Sequence, residues 1–211
     1  MNIPSQLTLL RFALVPAFML FTIMDHLYTR LLALAIFVVA SLTDLYDGYL
    51  ARKYNAVTDF GRMMDLLADK FLVSAAFICF VGMRELHVAS WMVVLIVGRE
   101  LLVTGLRMLA ASKGEVLGAD SQGKFKTAVQ IMVVITILVV LCVNSFLKNM
   151  MHIRPYDLLK SYSGWPHVAG EVLFWGPYWL VFVSMLVTLS SGVNYLYKNR
   201  HLYSKDVGLK L

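Results

Sequence analysis

Four aspartates between residues 44 and 69 are the side chains of this sequence best suited to chemistry. Asp44 and Asp47 are three residues apart and Asp65 and Asp69 are four apart, so each pair shares a face if its segment is helical. Four carboxylates close together repel one another, and protons or divalent cations must compensate them. Oxygen ligands favour Mg²⁺, Mn²⁺ or Ca²⁺ over zinc. Two such ions about 3.5–4 Å apart are a common device for displacing a phosphoryl group.

Small and basic residues accompany these aspartates. Gly48 and Ala51 continue the predicted helix face of Asp44, and they leave room for a bulky ligand beside the helix. Arg52 and Arg62 carry forked donors that suit phosphate groups. The alternative explanation for the small residues is close helix packing. For the aspartates, the alternative is a cation-transport pathway.

The composition indicates that these residues belong to a membrane protein. The 211 residues are 59% hydrophobic and 15% charged, whereas soluble domains are roughly 45–50% apolar and about 25% charged. The mean hydropathy of +0.71 likewise excludes an ordinary soluble enzyme, a disordered chain and a nucleic-acid-binding protein. The net charge of +6 favours basic cytoplasmic loops and contact with anionic membrane lipids. Cys79 and Cys142 lie in apolar runs and are predicted to be core residues without a disulfide.

The apolar runs predict an all-α integral membrane protein with six transmembrane helices, in a single domain covering residues 1–211. A helix needs about 20 apolar residues to cross the hydrocarbon. The predicted spans lie near 7–24, 31–51, 64–83, 88–110, 126–147 and 172–197. The connection at 148–171 contains His152, Trp165 and His167, and we expect a loop or interfacial segment there.

The charge pattern predicts the orientation of these spans. Basic residues are concentrated after the second, fourth and sixth spans, which places those connections and both termini in the cytoplasm. The charges at membrane depth all fall in the cytoplasmic halves of their helices, and such charges normally face a protein interior or a wet cavity. We therefore expect a polar cavity open to the cytoplasm and walled by the first five helices. The outer halves of the first three spans are apolar for 13 residues each, which argues against a transport pathway.

The aspartate segment resembles the signature of the CDP-alcohol phosphatidyltransferase family. The pattern is Asp44-x₂-Asp47-Gly48-x₂-Ala51-Arg52-x₈-Gly61-x₃-Asp65-x₃-Asp69, and all eight fixed positions have the family's spacing. The resemblance implies a six-helix membrane enzyme with two divalent ions, Mg²⁺ or Mn²⁺, in which an alcohol attacks the β-phosphorus of a CDP-linked lipid and CMP is released. By position, the metal ligands would be Asp44, Asp47, Asp65 and Asp69, with Asp69 also the general base. The predicted contacts with the CDP-lipid are Thr43, Gly48, Ala51, Arg52, Gly61 and Arg62.

Three further stretches resemble the branch of this family whose acceptor is sn-glycerol 3-phosphate. They are residues 1–11, which look like a short interfacial N-terminal segment, 98–107 and 123–127. The resemblance thus implies transfer of the phosphatidyl group from CDP-diacylglycerol to sn-glycerol 3-phosphate, by a homodimer in a bacterial cytoplasmic membrane. Serine, inositol phosphate and phosphatidylglycerol are the alternative acceptors.

A phosphorylated acceptor needs cations beside the metal site. The residues predicted to bind its phosphate are Arg99, Thr104, Arg107, Lys124 and Lys126. The two lysines also suit simple cytoplasmic anchors, and Arg99 also suits a structural pair with Glu100 or with a site aspartate. Ser5 and Leu66 stand where the branch usually has asparagine and proline, and neither difference removes a ligand group.

Overall fold

The computed structural model describes residues 3–54, 59–112, 121–153, 157–158 and 164–200. Within these ranges, the side chains of 3–11, 44–54, 59–69, 111–112 and 121–122 lie outside the description. The described residues form six long α-helices and no strand. The helices are α1 (Ile3–Ile23), α2 (Leu27–Tyr54), α3 (Asp59–Gly82), α4 (Ser90–Ser112), α5 (Ser121–Met150) and α6 (Trp165–Lys198). The all-helical prediction is confirmed.

The largest difference from the predicted spans is at the start of α6. This helix begins at Trp165, seven residues before the predicted start at 172, so part of the 148–171 connection is helical. Gly164 precedes it with φ 97°, a backbone conformation that glycine adopts easily. Pro166 occupies the first turn, where its missing N–H leaves no helix hydrogen bond unmade. These two residues start the helix before the hydrophobic run begins.

The helices pack around one apolar core. α1 packs against α2 and α3, which also contact each other, and α5 packs against α2 and α3. α6 packs against both α4 and α5. Fully buried side chains from all six helices fill the centre, including Phe18, Phe37, Phe77, Ile96, Ile137 and Val181. Cys79 and Cys142 are buried free thiols, as predicted.

Two helices are long and apolar enough to cross a membrane by length and composition, over Gly123–Met150 and Trp165–Lys198. The apolar stretches of the first three helices are shorter, at Phe12–Ile23, Leu27–Thr43 and Lys70–Gly82. This is the pattern seen in the sequence, where charges interrupt the first three spans. The charges that interrupt the second and third spans include the four aspartates between residues 44 and 69.

An ion cluster joins the helices at the end of the bundle opposite that segment. Arg30 is 2% exposed and pairs with Glu85, while its Nη1 donates to the Leu141 carbonyl at 3.1 Å. Asp25 lies 3.4 Å from Arg30 and also pairs with Lys148. The Lys148 hydrogen bond, with smaller help from Arg30, lowers the pKa of Asp25 below its usual 3.8. The stability that these pairs contribute is therefore fully present above about pH 3.8 and is lost as the pH falls through the lowered pKa of Asp25.

Replacing Arg30 with leucine should destabilise the bundle by about 1–3 kcal/mol, because Glu85 and the Leu141 carbonyl lose their partner. For a chain of this size, the Tm in detergent should fall by roughly 3–10 °C. Arg84→Leu is the matched control, since Arg84 is exposed near the same end and should change Tm little. Equal losses of Tm in the two variants would show that the buried cluster contributes nothing specific.

Candidate active site

The two aspartate pairs lie at similar distances from the end of α2 and the start of α3. α2 ends seven residues after Asp47, and α3 begins six residues before Asp65. Asp44 and Asp69 each lie ten residues from the same helix ends. At 1.5 Å per residue, Asp47 and Asp65 lie about 10 Å along the helix from these ends. Asp44 and Asp69 lie about 15 Å from them. All four positions thus lie near the ends of α2 and α3 that follow one another in the sequence, and their side chains lie outside the described part of the structure.

The chemistry of this donor set fits two hard divalent ions. Its ligands are carboxylate oxygens on neighbouring helix turns, which suit Mg²⁺ and Mn²⁺. Among the side chains that the structure describes, no group of three or more His, Cys, Asp or Glu residues lies close enough to hold a metal. The aspartate segment stays the metal centre that the sequence predicts. His152 follows the end of α5 and His167 lies in the first turn of α6. Both are at the end of the bundle opposite the aspartates.

Thr43 is the one predicted CDP-lipid contact whose side chain is described. Its hydroxyl donates to the Val39 carbonyl at 2.7 Å, and the residue is partly exposed. The hydrogen bond to its own helix fixes the rotamer and leaves the oxygen free to accept from a ligand. The other predicted contacts lie on α2 or α3 with side chains outside the description: Gly48, Ala51, Arg52, Gly61 and Arg62.

A buried basic cluster lies where α4, α5 and α6 meet. Arg99 Nη1 is 3.6 Å from Glu100 Oε1, and Lys126 of α5 pairs with the same oxygen. Gln130 donates to this carboxylate at 3.4 Å. The side chains of Arg99, Glu100 and Lys126 are 9%, 8% and 5% exposed. The predicted Arg99–Glu100 pair is therefore present, and Lys126 is a buried partner of it rather than a simple surface anchor.

Arg107 completes this cluster. Its guanidinium carbon lies 5.4 Å from the centre of the Tyr195 ring. The Nε atoms of Arg99 and Arg107 are buried, and neither has a hydrogen-bond partner within the described ranges. Among the described side chains, the cluster contains one carboxylate, Glu100, and three basic residues, Arg99, Arg107 and Lys126. Buried guanidinium N–H groups without a partner in the described ranges can bind an anion such as a phosphate.

The other two predicted acceptor-binding residues lie at different depths. Thr104 is 5% exposed and lies between Arg99 and Arg107 along α4. Lys124 is exposed at the start of α5. The structure thus places Arg99, Arg107 and Lys126 together with Thr104 nearby, and it places Lys124 at the surface. Their contact with a ligand stays a prediction.

The sequence-based reasoning missed the contribution of α6 to this cluster. Ser191 accepts a hydrogen bond from Arg99 Nη2 at 3.1 Å, and Thr188 accepts one from Gln130 at 3.2 Å. Tyr195 lies against Arg107. A signal was present, because polar residues recur at 184, 188, 191 and 195, the spacing of one helix face. They lie in a run of 26 residues without a charge, residues 172–197, which predicts only a membrane span.

Comparison with known proteins agrees with the motif. The profile of the CDP-alcohol phosphatidyltransferase family matches residues 1–173. The CDP-diacylglycerol–glycerol-3-phosphate 3-phosphatidyltransferase of Bacillus subtilis is 38% identical over 94% of this chain and 95% of its own length. The enzyme of the same name from Rickettsia bellii is 32% identical over 92% of this chain and 93% of its own. A probable phosphatidylglycerophosphate synthase of Mycobacterium tuberculosis is 42% identical over 61% of this chain and 62% of its own. The chain belongs to the CDP-alcohol phosphatidyltransferase family.

Proposed function

We propose that this chain transfers the phosphatidyl group of CDP-diacylglycerol to sn-glycerol 3-phosphate, giving phosphatidylglycerophosphate and CMP. The observation that carries the proposal is a complete aspartate signature near the adjoining ends of α2 and α3, combined with a basic cluster of Arg99, Arg107 and Lys126 around Glu100. The first feature suits a pyrophosphate donor and the second suits a phosphorylated acceptor. The names of the relatives from Bacillus subtilis and Rickettsia bellii support the same pair of substrates.

In this mechanism the four aspartates would hold the metal ions, and one of them would also receive a proton. Asp44, Asp47, Asp65 and Asp69 would bind two divalent ions, Mg²⁺ or Mn²⁺. When bound, such ions neutralise the pyrophosphate and stabilise the departing CMP. A hydroxyl oxygen of glycerol 3-phosphate bonds to the phosphatidyl phosphorus while the bond from that phosphorus to the CMP oxygen breaks. Asp69 accepts the hydroxyl proton as the new bond forms.

The CDP-lipid and the acceptor would occupy two adjoining parts of the site. Around the cytidine diphosphate we place Thr43, Gly48, Ala51, Arg52, Gly61 and Arg62. Around the acceptor's phosphate we place Arg99, Thr104, Arg107 and Lys126, with Lys124 at the surface attracting the anionic acceptor. Holding both substrates at fixed positions turns a bimolecular encounter into an oriented reaction.

We further propose a multi-pass location in the cytoplasmic membrane, with both termini and the polar cavity on the cytoplasmic side. The support is the two helices of membrane-crossing length and the many large apolar side chains exposed on the helices, such as Val94, Met132 and Leu186. The clustering of basic residues at the aspartate end favours this orientation. Residues 1–11 would lie at the membrane interface, and the enzyme would be a homodimer.

Comparison of acceptors tests the proposed reaction. Detergent-purified protein receives CDP-diacylglycerol, Mg²⁺ and one of four acceptors: sn-glycerol 3-phosphate, serine, inositol phosphate or phosphatidylglycerol. We expect CMP release with sn-glycerol 3-phosphate to exceed that with each other acceptor by at least about tenfold. Hydrogen-bond donors placed for one acceptor leave buried polar groups unpaired when another acceptor binds. CMP release with serine and none with glycerol 3-phosphate would overturn the acceptor assignment while leaving the reaction type.

A further inference from the structure

One face of α6 lies directly against the basic cluster. Thr188, Ser191, Gly192 and Tyr195 are all buried, and their spacing of three and four residues places them on one side of the helix. This face contacts Arg99 and Arg107 of α4 and Gln130 of α5. Residues 174–211 lie beyond the region matched by the family profile, so this part of α6 is assigned no role by that match.

Gly192 provides the space that Arg99 occupies. A Cβ atom at position 192 would lie 2.8 Å from Arg99 Cγ, 3.0 Å from its Nε and 3.4 Å from its Cδ. The stem of the arginine therefore runs against the backbone of α6. Because the closest atom is in the middle of the stem, an added methyl group displaces the whole guanidinium rather than only the end of a flexible chain.

Ser191 and Glu100 then hold the two ends of the guanidinium fork. Nη2 donates to Ser191 Oγ at 3.1 Å, and Nη1 lies 3.6 Å from Glu100 Oε1. Arg107 of the same helix lies against the Tyr195 ring, one turn beyond Ser191 on α6. The same face of α6 thus contacts both arginines of α4.

We propose that Ser191 and Gly192 are positioning residues for Arg99, and that through Arg99 they set the affinity of the enzyme for the phosphate of its acceptor. This inference rests on the proposed function. The α6 residues touch the arginine and not the substrate. A change at either position consequently alters acceptor binding more than it alters binding of the CDP-lipid, which is assigned to α2 and α3.

Substitutions at these two positions test the inference. In Gly192→Ala, the KM for sn-glycerol 3-phosphate should rise about tenfold or more, and the KM for CDP-diacylglycerol should stay within about twofold, because a misplaced fork loses part of a charge-assisted contact. Ser191→Ala should raise the acceptor KM by roughly fivefold, and Ser191→Thr, which keeps the hydroxyl, should restore it. The matched control is Gly176→Ala on the same helix, where an added Cβ lies 3.9 Å from Val172, an ordinary contact.

Direct binding separates failure of this inference from failure of the proposed function. Calorimetric titration with sn-glycerol 3-phosphate needs no turnover, and the Kd should rise in Gly192→Ala and stay unchanged in Gly176→Ala at equal Tm. If the wild-type protein binds the acceptor with this pattern but releases no CMP, the function is wrong and the positioning role holds. If Gly192→Ala lowers Tm or kcat alone, or raises both KM values equally, the role of Gly192 is packing. A wild-type protein that does not bind glycerol 3-phosphate also overturns the inference.

Discussion

Asp69→Asn should lower the rate of CMP release at least about 100-fold. The amide has nearly the shape of the carboxylate, but it carries no charge to bind a divalent ion and cannot accept the acceptor's proton. Loss of a general base alone typically costs about 10²–10⁴ in rate, and loss of a metal ligand adds to this. The measurement is the initial rate of CMP release at saturating CDP-diacylglycerol and sn-glycerol 3-phosphate, with the Tm of each variant recorded beside it.

Two further variants show whether the loss of rate is specific to the proposed metal site. Asp65→Asn should cause a comparable loss, because both aspartates are assigned to the same metal pair. Asp25→Asn is the control, since Asp25 lies in the ion cluster at the opposite end of the bundle and should leave the rate unchanged. Asp69→Asn with more than a tenth of the wild-type rate would contradict the assignment of Asp69.

Arg99→Gln should raise the KM for sn-glycerol 3-phosphate by roughly 10–100-fold. A hydrogen bond to a charged group contributes about 1.5–3 kcal/mol, and each 1.4 kcal/mol corresponds to about tenfold in affinity. Arg99→Lys should lie between the two proteins, because lysine keeps the charge and loses the fork. The measurement is a set of saturation curves in which each substrate is varied in turn.

The matched control for this series is Arg84→Gln, an exposed arginine in the turn between α3 and α4. It should leave both KM values as they are in the wild-type protein. If Arg99→Gln raises the KM for CDP-diacylglycerol as much as that for the acceptor, Arg99 does not belong to a separate acceptor subsite. A drop in kcat with both KM values unchanged would equally contradict it.

Much of the fold could be predicted because each helix carries its own local signal. Long apolar stretches predict membrane helices whatever their neighbours are, and each of the six predicted spans overlaps one helix of the structure. The start of α6 could not be predicted from hydropathy, because Gly164 and Pro166 begin that helix ahead of its apolar run. Helix starts of this kind depend on backbone geometry, which a hydropathy pattern does not contain.

The candidate site divides in the same way between local and tertiary information. The spacing of the aspartates and the adjacency of Arg99 and Glu100 are local, so the sequence was sufficient for them. The contact of Lys126 with Glu100 joins α4 to α5, and the contacts of Ser191 and Gly192 with Arg99 join α6 to α4. Small and hydroxyl side chains in an uncharged span more often serve helix packing, and only the arrangement of the helices shows which arginine they meet.

The most direct test of the account measures both products in one reaction. Purified protein is mixed with CDP-diacylglycerol and labelled sn-glycerol 3-phosphate, and CMP and labelled lipid are counted with Mg²⁺ and with EDTA. We expect equal amounts of CMP and phosphatidylglycerophosphate with Mg²⁺ and neither product with EDTA. Folded protein that releases CMP without forming labelled lipid, or that turns over equally in EDTA, would contradict it.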